Sequence, residues 1–361
     1  MDPRIRNLAR TLVHYSLPTQ PGQTVEVSGY SDAEPLFTAL YEELLRAGAF
    51  PELRMLPEAT QELFFKHAND SQLETLPPYR LANAKHMDTS IRIISSSNTR
   101  ALSSIDPKKQ ARHTTTLSPW KERLLNKPWV LTLFPTAAFA QDAEMSLTDF
   151  EDFVYHATFS DEKDPVKQWK ALAARQEKLI ARLHGADHIR ITGPDTDLAL
   201  SVKGRLFVNS AGTHNMPSGE IFTSPVDDSA EGFIKYDFPV CHGGREIHGI
   251  RLVFKKGRVV EASAEKNEPF LLEMLNMDPG ARRLGELGIG TNTNIQRFIK
   301  NILFDEKIGG TIHLAVGAAY PEAGGINNSA LHWDMIKDLR QGGALYVDGK
   351  LFQRNGRFVQ S

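Results

Sequence analysis

Cysteine is almost absent from this chain: Cys241 is the only one among 361 residues. A single thiol cannot form an intrachain disulfide and cannot build a thiolate-rich zinc or iron–sulfur site, so any metal held here needs imidazole and carboxylate ligands. Long apolar runs are missing too. No 18 consecutive apolar residues occur, and the opening Met-Asp-Pro-Arg-Ile-Arg is charged where a signal peptide carries its apolar core. These absences predict a cytoplasmic protein that does not enter a membrane. Neither sign of charge dominates: 42 Lys and Arg stand against 44 Asp and Glu, a net charge of -2. Nucleic acid and anionic membrane are therefore poor partners, and a small molecule or peptide is expected instead. No G-x-x-x-x-G-K-[ST] exists, and the glycines from Gly285 to Gly290 do not follow a strand in a phosphate-binding arrangement. No nucleotide cofactor is expected.

What is present is enough chain, 41% of it hydrophobic, for two domains or one large one. The first half alternates strand patterns at Gln23 to Ser28, Glu52 to Leu56, Ser90 to Ser95 and Trp129 to Phe134 with helical ones. Asp32 to Ala47 places Leu36, Phe37, Leu40, Tyr41, Leu44 and Leu45 on one face, with Asp32 as a cap and Gly48 as a stop. Further helices are expected at Thr60 to His67, Pro107 to Leu125, Leu147 to His156 and Pro165 to Leu183. This alternation predicts an α/β N-terminal domain, residues 1–185, with a parallel, helix-covered sheet. Beyond Gly185 short strands take over, among them His188 to Thr192, Gly232 to Val240 and Ile250 to Lys255. Ala344 to Phe352 and the Asn355-Gly356 turn carry hairpin signals. Residues 186–361 are expected to form an α+β domain with a mixed or antiparallel sheet.

The chemistry concentrates near the C-terminus. His313-Leu-Ala-Val-Gly-Ala-Ala-Tyr320 and His332-Trp-Asp334 put two imidazoles, a carboxylate and a phenol into a small, apolar stretch. On an extended strand His332 and Asp334 address one face while Trp333 packs behind. His313 follows Gly309-Gly310-Thr-Ile, a buried-strand pattern whose glycines admit close neighbours. Upstream, Glu220 in Pro-Ser-Gly-Glu-Ile-Phe and Glu286 in Leu-Gly-Glu-Leu-Gly-Ile-Gly each set one acid among glycine and apolar residues. A buried acid needs a counter-charge, which either a metal or an arginine such as Arg245 or Arg282 supplies. Cys241-His242 with His248 resembles a thiol site but lacks a partner in sequence, and His214, six residues before Glu220, is a candidate for lining a pocket.

Taken in order, the two glutamate segments, Phe304-Asp-Glu306, His313 to Tyr320 and Asn328-Ser-Ala-Leu-His332-Trp-Asp334 resemble the M29 metallo-aminopeptidases of the aminopeptidase T type. The Leu-Val-His-Tyr-Ser-Leu and Pro-Gly-Gln-Thr-Val-Glu-Val opening is also similar, so the resemblance covers most of the chain. It implies metal ligands at Glu220, Glu286, His313, His332 and Asp334, with Glu286 bridging, a further acidic ligand at Glu306, and a catalytic Tyr320 facing the site. The chain departs from the pattern in a longer Glu306 to His313 spacing and a shorter Tyr320 to His332 segment.

Such a ligand set suits two divalent ions, zinc, cobalt or manganese with magnesium also admissible, about 3.5 to 4 Å apart around a shared hydroxide. The implied enzyme is a hydrolase that removes N-terminal amino acids from peptides with a free N-terminus. The family also implies a homodimer. Two other readings use the same residues. A ring-cleaving dioxygenase of the dihydroxypyridine type would hold one iron with His313, His332 and Asp334. An inactive family member would only bind peptides.

Overall fold

The computed structural model describes residues 1–242 and 245–360; Gly243, Gly244 and Ser361, and the side chains of Pro107 and His242, lie outside it, so the pairing of Cys241 with His242 is outside it as well. The chain folds into two units, Met1–Trp169 with Gly212–Pro217, and Lys170–Ala211 with Ser218–Ser361.

In the first unit a five-stranded parallel sheet runs in the order Phe50–Leu56, Thr24–Tyr30, Thr89–Ile94, Trp129–Leu133 and Asn215–Met216. Parallel neighbours need crossover connections, which Glu34–Arg46 and Pro107–Leu125 provide. This is the helix-covered α/β architecture expected from the alternating pattern. Two local expectations fail. Asp32 lies in the short 3-10 turn Ser31–Ala33, and Ala33 at the N-cap makes no side-chain capping bond. Tyr41 and Leu45 are exposed while Leu36, Phe37, Leu40 and Leu44 are buried, because the buried stripe is narrower than the apolar one. Gly48, at a φ of 76°, ends the helix as expected.

The second unit carries two antiparallel sheets. One has eight strands and includes His188–Gly193, Arg251–Lys255, Ala344–Val347 and Lys350–Arg354; the other has five, in the order His332–Asp338, Thr311–Gly317, Leu284–Gly290, Glu220–Thr223 and Val208–Ser210. The expected strand Gly232 to Val240 is broken. Glu231–Lys235 joins the larger sheet, but the Tyr236 and Asp237 amides turn to Ile250 O (2.9 Å) and Ile336 O (3.2 Å), and Val240–His242 starts a separate hairpin with Arg245–Ile247. The Asn355-Gly356 turn, with φ of 47° and 73°, closes Lys350–Arg354 onto Arg357–Phe358.

Ile191, Leu198 and Leu252 from the larger sheet share one core with Ile221, Leu287, Leu314 and Met335 from the smaller. Strand alternation then dictates the rest. If Ile312, Leu314 and Val316 face the core, His313 and Ala315 face the other way, and if Trp333 and Met335 face the core, His332 and Asp334 do not. On Leu284–Gly290 a register shift between Leu284 and Glu286 lets Leu284 and Leu287 both enter the core, leaving Glu286 and Gly288 opposite. Trp333 anchors the strand from behind, 3% exposed with Phe270 edge-on at 6.3 Å. Trp333→Ala is expected to cost about 3 to 5 kcal/mol in urea unfolding of the second unit; an unchanged midpoint would show that this indole does not fix the strand.

Candidate metal centre

Four strands of the smaller sheet bring their polar residues to one face. Register aligns Glu286 with Ala315 and Ala315 with Asp334, His332 with Gly317, Gly288 with His313, and Gly290 with Glu220. Between these acids and imidazoles the neighbouring positions Gly288, Gly290, Ala315 and Gly317 are glycine or alanine. The reason is steric. A Cβ on Gly288 would fall within the His313 ring, so only glycine leaves room for the imidazole.

Glu286 lies at the middle. Its Oε1 is 3.3 Å from His313 Nε2 and its Oε2 is 3.3 Å from His332 Nε2, so each oxygen meets a different imidazole. His313 Nε2 is also 3.5 Å from Glu220 Oε2, and His332 Nε2 is 3.6 Å from Asp334 Oδ1. The result is two clusters that share one residue, Glu220, Glu286 and His313 on one side and Glu286, His332 and Asp334 on the other. Glu306 forms a third group with His313 and Asp334. All six residues picked out in the sequence thus converge, and Tyr320 joins them, its Oη 3.5 Å from His332 Nε2 and its ring packed between His332 and Phe222 at 5.1 Å from each.

Surrounding groups fix the orientation of these side chains. His332 Nδ1 is 2.8 Å from Ala318 O; a carbonyl only accepts, so Nδ1 donates and Nε2 is left toward the acids. Gln176, fully buried on the helix Pro165–Leu183, donates to Ser210 O at 3.1 Å and to Glu220 O, holding the backbone of the first ligand strand. The acids take their counter-charge from neither Arg245, which lies over Phe270, nor Arg282, which bonds Asn276 and Val259 O. Lys307 supplies it. Its ammonium, 1% exposed, donates to Glu220 Oε1 at 2.6 Å and to Glu306 Oε1. Nothing in the sequence marked Lys307, because a lysine beside a glutamate reads as an ordinary surface pair; its only signal is its place between Ile-Leu-Phe-Asp and Ile308. His214 instead packs edge-on against Trp129 at 5.0 Å, and His248 pairs with Glu246 at 2.6 Å.

The electrostatics favour positive charge at the centre. Burial works against protonation of the imidazoles, yet Glu286 and Glu220 push His313 up to about 10, and Asp334 and Glu286 push His332 up to about 11. Burial likewise opposes ionisation of Asp334, but His332 and His313 hold it down at about 2; Glu286 is held below its ordinary range by the same two imidazoles. Glu306, buried beside Glu220 and Asp334, rises to about 7 despite Lys307. Such a field stabilises a cation on the Nε2 side of both rings, whether a proton or a metal. Two buried atoms strengthen the metal reading: among the described residues Glu220 Oε2 and Asp334 Oδ1, one in each of the two clusters, have no hydrogen-bond partner. Carboxylate and imidazole donors together suit a divalent metal.

A sequence profile of the family described as "Thermophilic metalloprotease (M29)" matches residues 1–358. Among curated proteins, Aminopeptidase T of Thermus thermophilus is 28% identical, the alignment covering 98% of each chain, and Aminopeptidase 2 of Geobacillus stearothermophilus is 27% identical over 91% of this chain and 90% of that one. The solved structure of wild-type AmpT from Thermus thermophilus superposes with a TM-score of 0.87 at 24% identity, over 99% of both chains, and so shows the same fold.

The steric role of Gly288 has a direct test. Gly288→Ala is expected to weaken divalent-metal binding about tenfold or more, the scale of losing a ligand's supporting interaction, with the circular dichroism spectrum retained. Metal affinity equal to that of the parent would show that His313 does not need this space.

Proposed function

The chain belongs to the M29 family of metallopeptidases, and from that premise we propose that it is a two-metal aminopeptidase whose ions are bridged by Glu286. The observation that carries this reading is the split of the Glu286 carboxylate, one oxygen toward His313 and the other toward His332, 3.3 Å in each case. Glu220 and His313 would complete one ion's ligands, and His332 and Asp334 the other's, with Glu306 as a further acidic ligand, since these residues form the three groups close enough to hold a metal. Two divalent ions held there, zinc, cobalt or manganese, would lower the pKa of a shared water toward hydroxide and polarise the scissile carbonyl.

The remaining tasks fall to the protein. Burial, with Glu286 and Asp334 close by, raises the Tyr320 phenol and keeps it a neutral donor, suited to hydrogen-bonding the oxyanion that forms on the attacked carbonyl. Lys307 holds Glu220 and Glu306 apart from one another's charge and acts as a positioning residue.

A single iron on His313, His332 and Asp334 would leave Glu286 without a function although it touches both imidazoles, and the named relatives are aminopeptidases. The hydrolytic reading is therefore preferred to ring cleavage and to an inactive binder. Among the described residues no helix is long and apolar enough to cross a membrane. A cytoplasmic homodimer completes the proposal; the exposed apolar residues Leu53 and Met55, on one face of the edge strand of the parallel sheet, are a surface that a second copy could cover.

Aminoacyl anilide hydrolysis should be lost on chelation and return with zinc, cobalt or manganese. Tyr320→Phe should lower kcat about 100- to 1,000-fold with metal content unchanged. Full turnover in the chelated protein would refute the metal mechanism, and full turnover in Tyr320→Phe would refute the role of the phenol.

A further inference from the structure

On the parallel sheet of the first unit, one face collects positive charge that the protein does not neutralise. Register builds it. Arg54 and Arg92 both align with Ser28 from the strands on either side, so the two arginines project from the same face as Ser28, about 10 Å apart at their Cα atoms. Glu26, two residues before Ser28, shares that face. Two helices supply the rest: Pro78–His86 carries Arg80 and Asn83, and Pro107–Leu125 carries Trp120 and Lys121. Arg54 and Arg80 both lie over the Trp120 ring, 5.3 and 5.0 Å from its centroid, so one indole gathers two guanidinium groups.

The acids within reach do not balance these cations. Glu26, 4% exposed, accepts from Asn83 and lies 3.9 Å from Arg54, and Glu52, its neighbour across the strands, is exposed. Glu58, which with Arg92 acts on the Tyr30 phenol, is taken up by the Ser97 and Asn98 amides at 2.7 and 3.2 Å. Among the described residues Arg80, Arg92 and Lys121 make no ion pair. Each has another cation beside it instead. Burial and Arg54 pull the Arg80 guanidinium below its ordinary range although Glu26 opposes them, and burial and Arg92 do the same to the Lys121 ammonium. Trp120 Nε1–H is buried with no acceptor among the described residues, one more donor in a cluster that has no acceptor to spare.

We infer that this face binds a small dianion, a phosphoryl group either free or esterified, between Arg54 and Arg92 above Ser28. Four cations set against Glu26 and Glu52 leave two positive charges over, and a phosphoryl group brings about 1.5 to 2 negative ones at pH 7. Guanidinium forks match its oxygens two at a time, and the stacking of Arg54 on Trp120 orders that fork before the ligand arrives. The Ser28 hydroxyl stands between the two arginines as a further donor. A carboxylate, with one charge, would leave the cluster half compensated. The assignment is independent of the aminopeptidase reading, since none of these residues belongs to the candidate metal centre.

Calorimetry on the full-length, metal-loaded protein reads this site, with sodium orthophosphate as the probe against sodium chloride of equal ionic strength. A Kd tighter than about 1 mM is expected. Arg92→Met and Lys121→Met change exposed side chains on which folding does not depend, and each should weaken orthophosphate about tenfold or more, the scale of losing a hydrogen bond to a charged group. Bound metal ions also attract phosphate, so the titration is repeated in Glu286→Gln. Binding kept in that variant and weakened in Arg92→Met supports the assignment; binding lost in that variant and unchanged in Arg92→Met places the anion at the metals and overturns it. Sodium acetate should bind at least about tenfold more weakly than orthophosphate, and equal affinity would reduce the cluster to a general attraction for anions and overturn the phosphoryl reading. Glycerol 3-phosphate binding more tightly than orthophosphate supports an esterified ligand, and the reverse order supports the free ion. Binding of neither refutes the site.

Discussion

Buried carboxylates repel one another strongly: two unit charges 4 Å apart interact by about 4 kcal/mol even at an effective dielectric constant of 20. One face of the five-stranded sheet nevertheless gathers Glu220, Glu286, Glu306 and Asp334. Their proximity is sustained by cations placed between them, and the arrangement of those cations explains most of the local structure. Lys307 separates Glu220 from Glu306, and the two imidazoles separate Glu286 from Glu220 and from Asp334. Glu306, the acid least well compensated, is also the one raised to about 7. The same acids and imidazoles form groups that could hold a metal ion.

Electrostatics alone would not build this centre without the space that the sheet provides. Close packing of the four strands that carry these acids and imidazoles requires small residues between them, and Gly288, Gly290, Ala315 and Gly317 fill that requirement. The shared core beneath the sheet holds the strands in register, and a slip of one residue would move every ligand to the apolar side. The irregularity near Gly285 is a part of this design, since it resets the alternation so that Glu286 faces the ligands of its neighbours. The cluster therefore depends as much on residues with no side-chain chemistry as on the acids and imidazoles themselves.

Parts of this arrangement are legible in the sequence for identifiable reasons. Alternation on a strand predicts that His332 and Asp334 share a face with Trp333 behind, and the pattern around His313 predicts a buried strand; both follow from local geometry. The parallel sheet of the first unit is legible from the period of its apolar residues. What escapes is nonlocal or ambiguous. The pairing of Gly288 with His313 joins positions far apart in the chain, and no composition reveals it. Lys307 escapes because its burial is set by strands from elsewhere in the fold. Tyr41 and Leu45 fall outside the buried stripe because apolar character alone does not decide how wide a stripe the sheet covers. The Gly232 to Val240 run reads as one strand because its bend is imposed by Ile250 and Ile336. Glu220 and Glu286 are unremarkable acids until the family resemblance puts them beside the histidines.

The central claim is that one carboxylate, Glu286, serves two ions. Metal stoichiometry of purified, reconstituted variants tests it most directly. Two divalent ions are expected per parent chain, one in Glu220→Gln, and neither held tightly in Glu286→Gln, since that side chain belongs to both clusters. A Glu286→Gln protein that retains one ion with the affinity of the parent, or a parent that binds only one, would contradict the dinuclear reading.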